Sequence, residues 1–328
     1  MKSNKATSVI PGLVLLACAF ALTYWLSAGN DIPKFTKRLP IAQKPMFQSE
    51  PAQTNEQTSD NNAQSQTAST QISSPSTNNQ TPIQTSSNEP PAIPGSWPMF
   101  RGANSNNIST DNTPLSSNWT TTPPKTLWSL DVGEGHAGAA ILNSRVYILD
   151  YDRNAQQDVI RCLSFADGKQ LWSYSYPVSI KRNHGMSRTI PAVNDKFIVT
   201  LGPKCQVVCA DAKSGNVLWT MDLVKQFGTV IPPWYAGQCP LLDGDKVIIA
   251  PAGPKALMIA VDCSSGKILW QTPNSVGWSM THSSIIPAVL LGKKTYIYCG
   301  SGGVIGVSAT DGKPIWTTNL WTVRIANV

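Results

Sequence analysis

The stretch "CADAKSGNVLW" (209–219) recurs in altered form as "CLSFADGKQLW" (162–172), "AVDCSSGKILW" (260–270) and "GVSATDGKPIW" (306–316). Each copy holds a short polar turn, a glycine and, four residues on, a tryptophan. The tryptophans are Trp172, Trp219, Trp270 and Trp316, at intervals of 47, 51 and 46. Trp128, in "PPKTLWSLDVG", lies 44 residues before the first of them and lacks the upstream half of the motif. A period near 45 suits either a four-stranded propeller blade or a helical repeat of similar length. The segments between the tryptophans decide for strands. "RVYILD", "KFIVTL", "KVIIAP" and "TYIYCG" are short, β-branched or aromatic, and bounded by turn residues. None holds a helical period over a dozen residues.

Each repeat therefore reads as four strands. The first takes 138–143, 145–150, 158–164 and 170–176, and the second 188–193, 196–201, 205–210 and 216–222. The third takes 238–242, 246–250, 256–261 and 267–272, and the fourth 284–290, 294–299, 303–308 and 313–318. The motif is then the turn from third to fourth strand. Gly168, Gly215, Gly266 and Gly312 supply its positive φ. The tryptophan that follows opens the outer strand and offers a large apolar plate to the next blade. Asp211 and Asp262 cap the turn.

At these residues the chain resembles the PQQ-type, or quinoprotein, propeller repeat with its tryptophan docking between blades. The resemblance covers about 97–328. The opening "WPMFRGANSNN" (97–107) is similar to the start of secreted PQQ-like propellers of planctomycete-type bacteria, as are "WYAGQCPLLDGDKVIIAPAG" (234–253) and "HSSIIPAVLLGKKTYIYCGSGGVIGVSATDGKPIW" (282–316). The same repeat builds the propeller lipoprotein of the outer-membrane β-barrel assembly machinery and the quinoprotein alcohol dehydrogenases, so the fold does not choose the function. The resemblance implies a ring of seven or eight blades. The chain supplies four and a lone outer strand at 125–131, so the expectation is an all-β propeller seen as an incomplete ring.

Three regions follow. Residues 1–30 read as a membrane anchor: Lys2 and Lys5 precede the uncharged "SVIPGLVLLACAFALTYWLSAG" (8–29), about the length a helix needs to cross a bilayer. The alternative is a lipoprotein acylated at Cys18 in "LLAC". Lys34, Lys37 and Arg38 match the basic residues on the near side, so charge does not orient the segment. Residues 31–96 read as a disordered linker, since 38 of the 55 residues at 41–95 are Ser, Thr, Asn, Gln or Pro. Residues 97–328 are the propeller, expected in the periplasm or outside the cell. The net charge of +7 is shared by the ends of the chain without a Lys/Arg block, which speaks against nucleic acid.

The seven cysteines include Cys18 in the anchor. Cys162 and Cys209 hold one repeat position and read as small buried fillers. Cys205, Cys239, Cys263 and Cys299 fall outside it. No CxxC, CxxCH or zinc spacing occurs, and buried thiols are the plain reading.

The candidate site is the mouth of the central channel. His136, His184 and His282 each lie just before the innermost strand of a blade. Arg182, Arg188, Trp234, Tyr235 and Trp278 come from the same connections, which makes one polar and aromatic face the place for a ligand or partner. Three histidines from three blades share a rim without sharing an atom, and loop capping is the simpler role for them. A PQQ enzyme of this family implies Ca²⁺ on Glu, Asn and Asp ligands, an Asp base and, in many members, a pair of adjacent cysteines. No adjacent pair, haem attachment motif, GxSxG, HExxH or P-loop is present. The expectation is thus a non-catalytic, membrane-tethered module that binds a protein of the cell envelope, or a polysaccharide, without a cofactor. The alternative is a PQQ- and Ca²⁺-dependent alcohol or polyol dehydrogenase.

Overall fold

The computed structural model describes residues 23–24, 90–112, 114–121, 123–181 and 187–321. The expected anchor and linker lie outside the described residues apart from Thr23, Tyr24 and the stretch from 90 onward. Among the described residues no helix is long and apolar enough to cross a membrane.

Sixteen strands form four antiparallel four-stranded meanders, one per repeat. The first blade is β1 (Ala140–Leu142), β2 (Arg145–Asp152), β3 (Gln157–Ser164) and β4 (Gln170–Pro177). The second is β5 (Ala192–Val193), β6 (Phe197–Leu201), β7 (Gln206–Asp211) and β8 (Val217–Asp222). The third is β9 (Leu241–Asp243), β10 (Lys246–Ile249), β11 (Met258–Asp262) and β12 (Ile268–Thr272). The fourth is β13 (Ile286–Leu290), β14 (Lys293–Gly300), β15 (Gly303–Ser308) and β16 (Pro314–Thr318). The first strands of neighbouring blades touch, β1 against β5 and β5 against β9, and so they form the inner side.

The repeat turn is built identically four times. Gly168, Gly215, Gly266 and Gly312 have φ of 70°, 74°, 71° and 68°. The amide of each donates at 2.9 Å to the carbonyl four residues back, on Ser164, Asp211, Asp262 and Ser308. Just inside each turn the register slips by one residue, at Cys162/Leu163, Cys209/Ala210, Ala260/Val261 and Gly306/Val307. This bulge turns the tryptophan onto the face shared with the next blade. Its cross-strand partner is always small: Cys162 faces Trp172, Cys209 faces Trp219, Ala260 faces Trp270 and Gly306 faces Trp316. Cys162 and Cys209 are fully buried there.

Trp172, Trp219 and Trp270 each lie on the turn glycine of the next blade. A Cβ at Gly215 would stand 2.6 Å from Trp172, one at Gly266 2.8 Å from Trp219, and one at Gly312 2.3 Å from Trp270. Trp172 Nε1 donates to the Ala212 carbonyl at 3.2 Å and Trp219 Nε1 to that of Cys263 at 2.8 Å. Trp128 repeats the contact upstream, 2.6 Å from a Cβ at Gly168 and with Nε1 donating to Phe165 O at 2.8 Å. Buried apolar residues fill the seams in two clusters, one over blades one and two and a larger one over blades two to four.

Three expectations are corrected. Residues 125–131 form no strand: Trp128 docks, but the backbone around it finds no ladder partner among the described residues, and Leu127 and Leu130 are exposed. The inner strands β5 and β9 are shorter than 188–193 and 238–242, because Pro191 and Pro240 offer no amide donor at the edge. The Gln238 side chain substitutes for part of that ladder, accepting from the Ala250 amide at 2.8 Å and donating to its carbonyl at 3.3 Å. The helix α1 (Leu223–Phe227) was not anticipated: Asp222 caps it through the Lys225 amide, and Gly228 closes it at φ 71°.

The "WPMFRG" opening docks on the inner side. Trp97 exchanges backbone hydrogen bonds of 2.8 and 2.9 Å with Ile141, and Pro98 accepts from Val193 at 2.9 Å. It thereby pairs the free edge of β1 and reaches blade two.

Candidate functional site

A four-stranded meander puts its loops at two ends. The hairpins from first to second strand and the repeat turns share one end. The connections between blades and the loops from second to third strand share the other, where the described candidate residues lie.

Tyr235 is the junction of that end. Its hydroxyl accepts from the Lys181 amide at 2.8 Å and donates to the Lys181 carbonyl at 3.0 Å, which ties down the connection from blade one to blade two. Its carbonyl accepts from His282 Nε2 at 2.8 Å, which ties in the connection from blade three to blade four. A carbonyl only accepts, so Nε2 carries the proton. Its amide donates to Pro232 at 3.0 Å and closes the turn Pro232–Tyr235. Trp234 and Tyr235 have φ of 65° and 69°, the left-handed region that bulky side chains avoid. The strain is held in place by Tyr235 and leaves Trp234 38% exposed.

His282 is buried, its ring against Gly237, where a Cβ would come within 2.7 Å of Cγ. Burial first, and the Arg188 charge after it, push its imidazole below the usual histidine value against the pull of the Tyr235 and Pro233 carbonyls. Arg188, Tyr235 and His282 are thus brought together with Trp234 beside them. His136 is exposed on another connection, its amide donating to Ser187 O at 2.7 Å. Trp278 is half-buried on the loop of blade four, where a Cβ at Gly300 or Gly302 would come within 2.8 or 2.3 Å of it. Arg182 and His184 lie outside the described residues.

Two features went unread in the sequence. Asp158 is fully buried, accepting from Ser187 Oγ at 2.6 Å and Tyr176 OH at 2.5 Å. Burial raises its carboxyl to about 7 against the pull of those two donors. At the opposite end a cleft of about 150 Å³ opens between Asn143, Arg145, Tyr147, Asn194, Asp195 and Lys213. Its walls are tied across the blade seam by Tyr147 OH to Ala212 O at 3.2 Å and Asn143 Nδ2 to Asp195 Oδ1 at 2.9 Å. Neither feature has a local sequence signature, because each joins residues from different elements.

A family profile described as outer membrane protein assembly factor BamB matches residues 156–327, just over half of the chain. The chain belongs to this family of PQQ-type repeat propellers. It is similar to the crystal structure of BamB from Moraxella catarrhalis at 16% identity and a TM-score of 0.42, covering 60% of this chain and 53% of that one. A quinohemoprotein alcohol dehydrogenase from Pseudomonas putida HK5 follows at 15% identity and TM-score 0.41, with 57% and 34% covered. The corresponding enzyme from Comamonas testosteroni stands at 18% and 0.41, with 58% and 36% covered. The chain therefore spans about half the length of the BamB structure and about a third of the dehydrogenases. No curated protein matches the chain.

The PQQ- and Ca²⁺-dependent alternative would need acidic side chains as metal ligands. Among the described residues no three His, Cys, Asp or Glu side chains come together as ligands. Asp211 and Asp262, the turn acids of blades two and three, are engaged in capping the repeat turn.

Proposed function

We propose that this propeller is a membrane-tethered, extracytoplasmic binding module. It engages a protein of the cell envelope, without catalysis, through the end that carries Trp234. One observation carries the reading. A Trp–Tyr pair is held in left-handed backbone, with the tyrosine spent on joining three connections and the tryptophan presented outward. Exposed aromatics on a rigid base are what binding hot spots are made of. The apolar segment at 8–29 and the polar linker support the tether, and the BamB-like family supports binding over chemistry.

The test is a photo-crosslinking amino acid at position 234 of the full chain in its native envelope. A protein adduct is expected there and not from Lys267, which lies in the repeat turn at the other end. With the crosslinker moved to the exposed Val230, Trp234→Ala should abolish the adduct while the chain keeps a single cooperative melt. Adducts from 267 alone would refute the reading. So would reduction of an artificial acceptor by the chain with an alcohol, PQQ and Ca²⁺.

A further inference from the structure

The two ends of blades two and three differ in charge. On the repeat-turn end lysines meet carboxylates: Lys196 lies 2.8 Å from Asp245, Lys294 2.6 Å and Lys246 3.5 Å from Asp243. On the Trp234 end the segments 178–191, 202–205, 223–240 and 250–257 contain no Asp or Glu at all. They carry Lys181, Lys204 and Lys255, none of which forms an ion pair with another described residue. Lys225, the remaining lysine there, sits 3.6 Å from Asp222.

These cations are fixed around one apolar knuckle, residues 227–236. At its start the Lys255 amide donates to Phe227 O at 3.3 Å. At its end the Ala236 amide donates to Pro203 O at 2.9 Å, which places Lys204 there. Tyr235 binds the backbone of Lys181. Between these ties Val230 stands 66% exposed and Trp234 38% exposed. Backbone bonds thus set lysines at both ends of an apolar surface.

We propose that this knuckle docks an acidic segment of a partner protein, with an apolar or aromatic side chain seated against Val230 and Trp234 and carboxylates on either side of it reaching Lys204 and Lys255. The inference rests on the binding role proposed above and adds the chemistry of the partner. Opposite charge on both flanks fixes register and speeds encounter, while the apolar contact supplies the slower dissociation. Lysines on separate folded loops, tied to the two ends of one short exposed segment, match an extended chain better than the flat headgroup layer of a membrane.

The probe is a short fluorescein-labelled peptide with Asp and Glu runs on both sides of a Phe–Leu pair, titrated against the full chain. Binding near 10 µM is expected, on the order of −7 kcal/mol, weakening as salt screens the charges. The double variant Lys204→Glu/Lys255→Glu should lose at least about tenfold with an unchanged melt, since neither side chain makes an ion pair with another described residue. The same peptide with Asn and Gln for the acids should not bind. The proposal fails if the double variant binds as well as the parent, or if the neutral peptide binds equally. It also fails if phosphatidylglycerol vesicles bind and the peptide does not. The crosslink at 234 separates the two readings. An adduct that persists in the double variant overturns the acidic partner and leaves the binding role standing, whereas no adduct from the parent overturns both.

Discussion

Trp219 and Gly266 are two halves of one contact. The indole lies where a Cβ at Gly266 would be, and its Nε1 reaches the carbonyl three residues earlier, on Cys263. Trp219→Ala removes a buried aromatic and the nearer of two donors to that carbonyl, which keeps only the Cys209 thiol at 3.4 Å, so a denaturant melt should show a loss of about 3–5 kcal/mol; a loss under about 1 kcal/mol would contradict the docking assignment. Asp158 acts in another way. Its carboxyl titrates near 7 in the fold, above the roughly 3.9 of an unfolded chain. The protonated form is the one the fold favours, so the contribution of Asp158 is fully present below about pH 4 and is lost as pH rises through about 7. Asp158→Asn should flatten stability between about pH 4 and 7, read as urea midpoints across that range; an unchanged slope would place the titration elsewhere. The tryptophan contact was readable in the sequence because it recurs at a fixed interval. The Asp158 cluster was not, because Ser187 and Tyr176 come to it from a connection and another strand.

The elements show how one turn is written in two ways. In blades two and three the acid stands four residues before the glycine: Asp211 accepts from the amides of Lys213 and Ser214 at 3.1 and 2.7 Å and from Ser214 Oγ at 2.8 Å. In blades one and four the acid stands next to the glycine, and Asp167 and Asp311 each accept from the lysine amide two residues on, at 3.3 Å. Both satisfy turn amides that the strands cannot reach. Asp211→Ala should therefore cost about 1 kcal/mol, measured by melting, and more than the same change at Asp311, which makes fewer of these bonds. The outer strands and turns matched the sequence reading closely, since β-branched alternation and a turn glycine are local properties. The inner strands did not, because their length depends on which neighbour supplies the ladder, and Pro191 and Pro240 remove donors there. Helix α1 was present in the sequence as Asp222 and Gly228 with five residues between them, but so short a stretch has no period to detect.

Across the whole molecule the blades are not equivalent. The residues that face the next blade are buried in the second, as with Val199, Cys209 and Trp219, whereas their counterparts Ile297 and Trp316 in the fourth are half-exposed. Trp316 lies against its own strand, where a Cβ at Gly306 would come within 2.4 Å of it. In this 328-residue chain Trp316→Ala should cost under about 2 kcal/mol, well below Trp219→Ala, because less of its surface leaves water on folding. Equal losses in paired melts would mean that a further surface covers blade four. The two ends also differ, since carboxylates stand among the lysines at the repeat turns and none stands in the segments around Trp234, and that asymmetry belongs to no single blade.

From sequence alone came the repeat, its four strands, the turn glycines, the docking tryptophans and the family they resemble. All of these depend on chemistry within a dozen residues, where a left-handed φ demands glycine and an exposed blade face demands a plate. The candidate residues were read onto one end from meander topology, which sends the connections between blades there. Only the tertiary structure sorted them. It made Tyr235 and His282 ties between connections, laid Trp278 on glycines, and left Trp234 outward among lysines from three loops. Those roles depend on hydrogen bonds spanning 47 and 54 residues of chain, a distance over which no local pattern carries information.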